Sequence, residues 1–336
     1  MNQGSPDGGD IASGVQKKPR DDIILPFQVE PHGLRGGFVR LGDAVETVLA
    51  AHNYPEPVAR LLAEMLALAP CLAGALNYKG VFTLQVKGNG PVKTLMADVT
   101  SEGGLRGYAS YDAEAVEAAA TAHGADVPLQ RLTEGGYIAF TVDQGLNADR
   151  YQGIVELSGA TLAECTHAYF RNSEQLETGV KVAAGRSPTG TWRAAALMVQ
   201  RLGFAGGENI PTGINEDDYD EGWRTAVVLM SSCTSAELLD DALAPEALLY
   251  RLFHETGVRV YPDRRLVTQC RCSVDKVENV LRSLTAKQLE DMTVDGEVSV
   301  VCEFCKTELC YNGDSLAALR GTFDNAGRFA PPTRKR

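Results

Sequence analysis

The chain has 336 residues and 44% hydrophobic content, enough to bury one substantial core and a smaller satellite unit. Its 44 acidic against 32 basic side chains give a net charge of −12, which speaks against nonspecific nucleic-acid binding, because that rests on clustered Lys and Arg neutralising phosphates. Eight cysteines follow a polar first 20 residues with no apolar secretory segment, so the expected setting is the cytoplasm, where thiols stay reduced.

Residues 1–20 read as a disordered tail and residues 21–204 as a core of mixed sheet and helices, within an overall α+β fold. Asp43 with Glu46 has capping-box spacing for a short helix to His52, and Pro55 suits the start of a longer one through Leu76. That second helix contains the most apolar run of the chain, yet it carries Arg60, Glu64 and Pro70 and so reads as buried in protein, not as a membrane span. Residues 81–87 alternate strictly, with Phe82, Leu84 and Val86 on one face, and Gly88-Asn89-Gly90 then offers the positive-φ residues of a hairpin. Residues 136–142 and 151–157 read as further strands, and Thr161 with Glu164 boxes the start of a helix through Phe170. Strands over 180–183 and 192–200 close this part. The mostly antiparallel order predicts a sheet with helices on one side.

Residues 205–268 read as a helical linker. It opens with Gly206-Gly207 and Pro211, carries the acidic run from Glu216 to Glu221, and continues with a Thr234/Glu237 capping box. Pro245 starts a helix with Leu248, Leu249, Leu252 and Phe253 on one broad apolar face. Such a face needs a cover, and the sheet of the core is the available one.

Residues 269–323 form the last unit, followed by a tail expected to be disordered over 324–336. Cys270 and Cys272 make a C-x-C pair and Cys302 and Cys305 a C-x-x-C pair, with 29 residues between them. Close-spaced thiolates suit one tetrahedral zinc, with an iron–sulfur cluster as the residual metal reading. Val298, Val300 and Cys302 alternate like a strand, and residues 307–312 can return as its hairpin partner. Between the pairs, Val274, Val277, Leu281 and Leu284 recur at helical spacing, and Thr285 with Gln288 starts a short helix carrying Leu289 and Met292. Roughly fifty residues with so few large apolar groups depend on a metal for their fold. The same four sulfur atoms can be a redox switch, because neighbouring cysteines convert an oxidised thiol into a disulfide. A thioredoxin-like site fits poorly, since Cys302 and Cys305 lie between strand-like runs. Cys71 and Cys165 read as core residues, and Cys310 as a spare ligand that its strand position turns away. Arg271, Lys276, Arg282, Lys287 and Lys306 are interleaved with acids, which disfavours a DNA-binding ribbon.

No phosphate-binding loop, dinucleotide fingerprint, nucleophile elbow or H-E-x-x-H motif occurs, and the five histidines lack metal-binding spacing. No catalytic residue is assigned and no enzyme activity is expected. With those absences in view, the chain resembles the redox-regulated heat shock protein 33 chaperone family over most of its length. Cys270-Arg271-Cys272-Ser273 and Cys302-Glu303-Phe304-Cys305, the latter preceded by Asp295-Gly296-Glu297-Val298, look like the family's signature. His52-Asn53-Tyr54-Pro55, Gly88-Asn89-Gly90-Pro91, Arg106-Gly107-Tyr108, Tyr151-Gln152-Gly153, Ser173-Glu174-Gln175-Leu176 and Leu249-Tyr250-Arg251-Leu252-Phe253-His254-Glu255 are similar to family segments in the same order. Leu309 departs from the pattern, which usually has an aromatic there, and the polar head and the 205–214 stretch are also unusual.

The resemblance implies an ATP-independent holdase for unfolding client proteins. It implies one zinc on Cys270, Cys272, Cys302 and Cys305 in the reduced, inactive state. Oxidants such as hypochlorite, or peroxide with heat, would then form two disulfides, release zinc, unfold the linker and yield an active homodimer. Closeness in sequence predicts pairing within each motif. A thiol-disulfide oxidoreductase and a zinc-ribbon protein-binding module remain the readings of other classes. The linker over 216–269 is expected to be the moving part.

Overall fold

A computed structural model describes residues 20–30, 33–124, 126–145, 150–201, 216–319 and 333–335. The expected boundary at residue 204, the 205–214 stretch and residues 1–19 lie outside the described residues.

The core runs β1 (Ile23–Val29), β2 (Leu34–Leu41), α1 (Asp43–Ala50), α2 (Glu56–Ala73), β3 (Val81–Gly88), β4 (Val92–Thr100), β5 (Gly104–Tyr111), α3 (Ala113–His123), α4 (Leu129–Thr133), β6 (Gly136–Asp143) and β7 (Tyr151–Glu156). It continues with α5 (Leu162–Tyr169), a π-helical turn over Phe170–Glu174, β8 (Thr178–Arg186) and β9 (Trp192–Arg201). One sheet has the order β10-β1-β2-β9-β8 and a second β12-β5-β4-β3-β6-β7, where β10 (Val258–Val260) and β12 (Val267–Thr268) come from the chain after the linker helices. Between them β11 (Arg264–Arg265) also pairs with β1.

Two sheets replace the one predicted, and α2 explains why. Fifteen of its residues are buried, so it is apolar all round and needs cover on every side. Leu62, Met65 and Leu66 share one cluster with Val39, Ala196 and Met198 of the first sheet and with Leu84, Val86, Leu95 and Ile138 of the second. β9 is equally two-faced. Ala194, Ala196 and Met198 look toward α2, whereas Ala195, Leu197 and Val199 belong to a separate cluster on the other side. A strand buried on both faces loses its alternation.

That other side is covered by α6 (Glu216–Ser232), α7 (Ser235–Leu239) and α8 (Pro245–Phe253). Their Ala226, Met230, Leu238, Leu248, Leu249, Leu252 and Phe253 pack on Ile23, Leu25, Phe27, Val29, Leu34 and Phe38. Thr234 and Glu237 form the expected capping box. The acidic run is itself the start of α6, where carboxylates suit the helix dipole.

Three local readings change. The N-cap of α1 is Gly42, not Asp43, and Glu46 accepts a hydrogen bond from the Trp192 N–H at 2.6 Å instead of closing a box. α2 ends at Ala73 and keeps Pro70 inside. At the β3–β4 hairpin none of Gly88, Asn89 and Gly90 has positive φ. The small residues serve close approach: the Asn89 and Gly90 N–H groups both donate to the Thr133 carbonyl at 2.7 Å, and a Cβ on Gly90 would meet Glu134 Cγ at 2.7 Å.

The cysteine module holds α9 (Val274–Ser283), α10 (Ala286–Met292), β13 (Glu297–Val301), β14 (Glu308–Asn312), α11 (Gly313–Leu319) and β15 (Thr333–Lys335). The short β15, inside the segment expected as a tail, pairs with β14. Leu281, Leu289, Val298, Leu309, Tyr311 and Leu319 are its buried apolar set.

Candidate metal centre

Each cysteine pair is delivered by a different element. β12 runs parallel to β5 at the edge of the second sheet, and the Gln269 N–H donates to the Leu105 carbonyl at 2.9 Å, so Cys270 leaves directly from that edge. After Cys272 the Ser273 hydroxyl caps α9 by accepting from the Lys276 N–H. The second pair sits at the tip of the β13–β14 hairpin. There the Cys302 N–H donates to the Thr307 carbonyl at 3.0 Å and the Lys306 N–H to the Cys302 carbonyl at 2.9 Å, with Lys306 in the left-handed region at φ 55°.

The four sulfur atoms lie within 4.8 Å of one another. The Sγ atoms of Cys270 and Cys302 are 3.7 Å apart, and those of Cys272 and Cys305 3.6 Å. Four ligands at about 2.3 Å from one tetrahedral zinc would stand about 3.8 Å from each other, so the donor set fits zinc. The thiols are free, far from the roughly 2.05 Å of a disulfide. Burial opposes ionisation at Cys305, but hydrogen bonds with Thr307 and with the Cys270 and Cys272 sulfurs outweigh it and draw the thiol down to about 7. Burial, then the neighbouring sulfurs, holds Cys272 well above the usual thiol range, and Cys302 is also raised, burial being the main cause.

The other cysteines stand apart. Cys310 is buried in β14 opposite Ser299 and outside the cluster. Burial pushes Cys71 up to about 12, and burial also raises Cys165 and Cys233. Among the described residues the metal-type cluster joins the four expected cysteines and no other. On the opposite side of the core, Leu248, Leu249, Leu252 and Phe253 are all buried, and Phe253 stacks on Phe27 with ring centroids 5.7 Å apart.

Sequence reasoning missed how the module is seated. Arg271, between the first two cysteines, donates to Asp98 Oδ2 on β4 at 2.6 Å. Phe304, between the second two, lies 3.7 Å from the Arg106 guanidinium and edge-on to Tyr108 at 4.8 Å, while its carbonyl is 3.0 Å from His52 Nε2. One signal was available: Asp98 is an acid amid the alternating apolar residues of β4. Its partner lies 173 residues away, beyond any periodicity.

The sequence profile of the family described as Hsp33 protein matches residues 22–312. A 33 kDa chaperonin from Caulobacter vibrioides is 39% identical over 290 residues, covering 85% of this chain and 93% of its own. Another from Ectopseudomonas mendocina is 36% identical over 314 residues, covering 93% and 98%. The crystal structure of the 33 kDa chaperonin, a heat shock protein 33 homolog, from Thermotoga maritima superposes with a TM-score of 0.75 at 24% identity, covering 89% of this chain and 98% of that one. At that identity the likeness speaks for the fold.

Proposed function

Because this chain belongs to the Hsp33 family and its matched relatives are named chaperonins, we propose that it is a redox-regulated, ATP-independent holdase whose switch is Cys270, Cys272, Cys302 and Cys305. The chaperone role follows from the family; the redox mechanism is our reading. The observation that carries it is the convergence of four sulfur atoms, one exposed and three half-buried, on a point that suits a single zinc.

Bound zinc would hold together a module whose own apolar core is small, at an apparent binding energy on the order of 10–16 kcal/mol. The four thiolates can give up four electrons to two equivalents of a two-electron oxidant such as peroxide, each equivalent taking two protons and leaving as two waters. Two S–S bonds form and no ligand remains. We assign the pairing within each motif, Cys270 with Cys272 and Cys302 with Cys305, although the shortest sulfur contacts run across the motifs; peptide mapping after oxidation decides it. We assign residues 21–204 as the core, 205–268 as the regulatory linker and 269–323 as the switch. With the switch unfolded, the linker helices lose their far anchor, and the apolar face beneath them receives unfolding clients. The active form is assigned as a homodimer in the cytoplasm; among the described residues no helix is long and apolar enough to cross a membrane.

The test is to measure zinc release and aggregation suppression together, before and after oxidation. Joint appearance supports the reading. Suppression with zinc retained would favour a zinc-ribbon binding module, and turnover of a dithiol substrate would favour an oxidoreductase.

A further inference from the structure

The outer face of the second sheet carries a polar cross-strand row. On β3, β4 and β5 the residues pointing away from α2 include Thr83, Asp98 and Arg106, which are cross-strand neighbours in register. Asp98 is only 2% exposed, so something must satisfy its carboxylate. Oδ1 accepts from the Thr83 hydroxyl at 2.6 Å, and Oδ2 accepts from Arg106 Nε at 2.8 Å and from Arg271 at 2.6 Å.

We propose that Arg271 and Phe304, the residues enclosed by the two cysteine pairs, are a latch that seats the cysteine module on the β4–β5 face, with Asp98, Arg106, Tyr108 and His52 as its keeper. Both side chains that touch the keeper are held inside the chelating loops. Their direction is therefore set by the cysteines on either side. Closing a pair into a disulfide draws sulfurs now within 4.8 Å of each other to about 2 Å, and the one or two enclosed residues must turn with them. Docking thus reads the state of the sulfur atoms with no intervening element.

The keeper is also built to let go. When Arg271 leaves, Asp98 retains Arg106 and Thr83, so no buried charge is left uncompensated, which is the usual obstacle to breaking a buried pair. Arg271 recovers part of what it gives up on leaving, because its NH1 is buried without a hydrogen-bond partner in the seated state and water can then reach it. Phe304 gives up a cation–π contact and the hydrogen bond its carbonyl accepts from His52 Nε2, both of which water can replace in part. The seat is specific and shallow.

The trigger in this inference rests on the redox reading above, whereas the seating contacts do not, and the experiment separates the two. Hydrogen exchange is followed on reduced, zinc-loaded, full-length protein for the wild type, Asp98→Asn, Arg271→Met, Phe304→Ala and Phe304→Tyr, with zinc content measured in parallel. The latch predicts exchange about tenfold faster at the Gln269 amide and the β5 edge in the first three variants, the scale of losing one charged hydrogen bond. Zinc stays at wild-type stoichiometry, Phe304→Tyr behaves as wild type, and the Asp98→Asn/Arg271→Met double variant is no faster than either single one. The variants should also need several-fold less oxidant to open. Wild-type exchange at these amides in Arg271→Met and Phe304→Ala overturns the latch, even if oxidation still activates the protein. Faster exchange in the variants with no activation of the wild type by oxidant would leave the latch standing and overturn the redox reading instead. Arg271→Met keeps volume and sits on a partly exposed side chain, so the test survives misfolding of Asp98→Asn.

Discussion

The two sheets differ most on their outer faces. The first presents Ile23, Leu25, Phe27, Leu34 and Phe38 to the linker helices; the second presents Thr83, Asp98 and Arg106 to the cysteine module. Lifting the module off its face exposes the Tyr108 ring together with the Asp98 and Arg106 groups, which water accepts readily. Lifting the linker off the other uncovers a contiguous apolar surface, the kind that binds unfolded chains. On the proposed reading, sensing and binding therefore sit on opposite faces of one sandwich, and the more apolar face is the one that binds. The coupling is thermodynamic. Burying Leu248, Leu249, Leu252 and Phe253 contributes about 6–12 kcal/mol at about 1.5–3 kcal/mol each, while ordering the helix that carries them costs about 1–2 kcal/mol per residue in backbone entropy. Docking of α8 is marginal enough to depend on an anchor at its far end.

The largest effect that can break this contrast is metal removal. Stripping zinc from reduced protein, or the Cys302→Ser change, should unfold residues 270–319 and leave the two-sheet core folded, because a small apolar core cannot replace on the order of 10–16 kcal/mol. Two-dimensional NMR of the apo protein checks it; a fully folded apo module contradicts the dependence.

Next comes the linker face. Leu252→Asn with Phe253→Asn removes two buried anchors, each truncation worth about 2–5 kcal/mol, and should give aggregation suppression in reduced protein without full oxidation. No gain in activity despite demonstrated release of α8 would mean that clients bind elsewhere.

A smaller effect isolates the core from both faces. Burial pushes the partly buried Glu64 of α2 up to about 7, against the opposing pull of Arg60. An acid whose folded pKa is raised binds its proton more tightly when folded, so stability is greatest at low pH and falls as pH rises from about 4.5 toward about 7. Glu64→Gln should flatten that slope and add about 1–3 kcal/mol at pH 8, leaving the oxidant threshold unchanged. Denaturant titrations across pH decide it, and an unaltered slope would remove Glu64 from the account.

The smallest expected change is Cys310→Ser, which should retain wild-type zinc because Cys310 lies outside the sulfur cluster. Loss of metal in this variant, with full binding kept in Cys302→Ser, would reassign the ligands.

Much of the candidate site was legible because its signals are local. The two cysteine pairs, the capping boxes at Thr234 and Thr285, and the apolar face of α8 each span a few residues; the structure brings the pairs into one sulfur cluster and contains the boxes and the face. What escaped was long-range. β1 and β2 were not read as strands, since Ile23, Leu25, Phe27 and Val29 pack under the linker while Ile24 and Val39 face α2, and two-sided burial erases the period. The second sheet escaped for the same reason that α2 reads only as apolar: sequence shows that a helix must be covered, not by how many layers. The β3–β4 glycines were assigned to dihedral freedom when a neighbouring loop required the space. The Asp98–Arg271 contact joins residues that no pattern links.

Whether oxidation frees the linker from the apolar face while the core holds is tested most directly by hydrogen exchange on reduced zinc-loaded and fully oxidised protein, alongside aggregation suppression. A large rise in exchange over residues 216–253 and 270–312 is expected, with protection kept over most of 81–183 and chaperone activity rising in step. Equal protection of residues 216–253 in the reduced and the fully active protein would contradict it, and place client binding on a surface already exposed in the zinc-bound state.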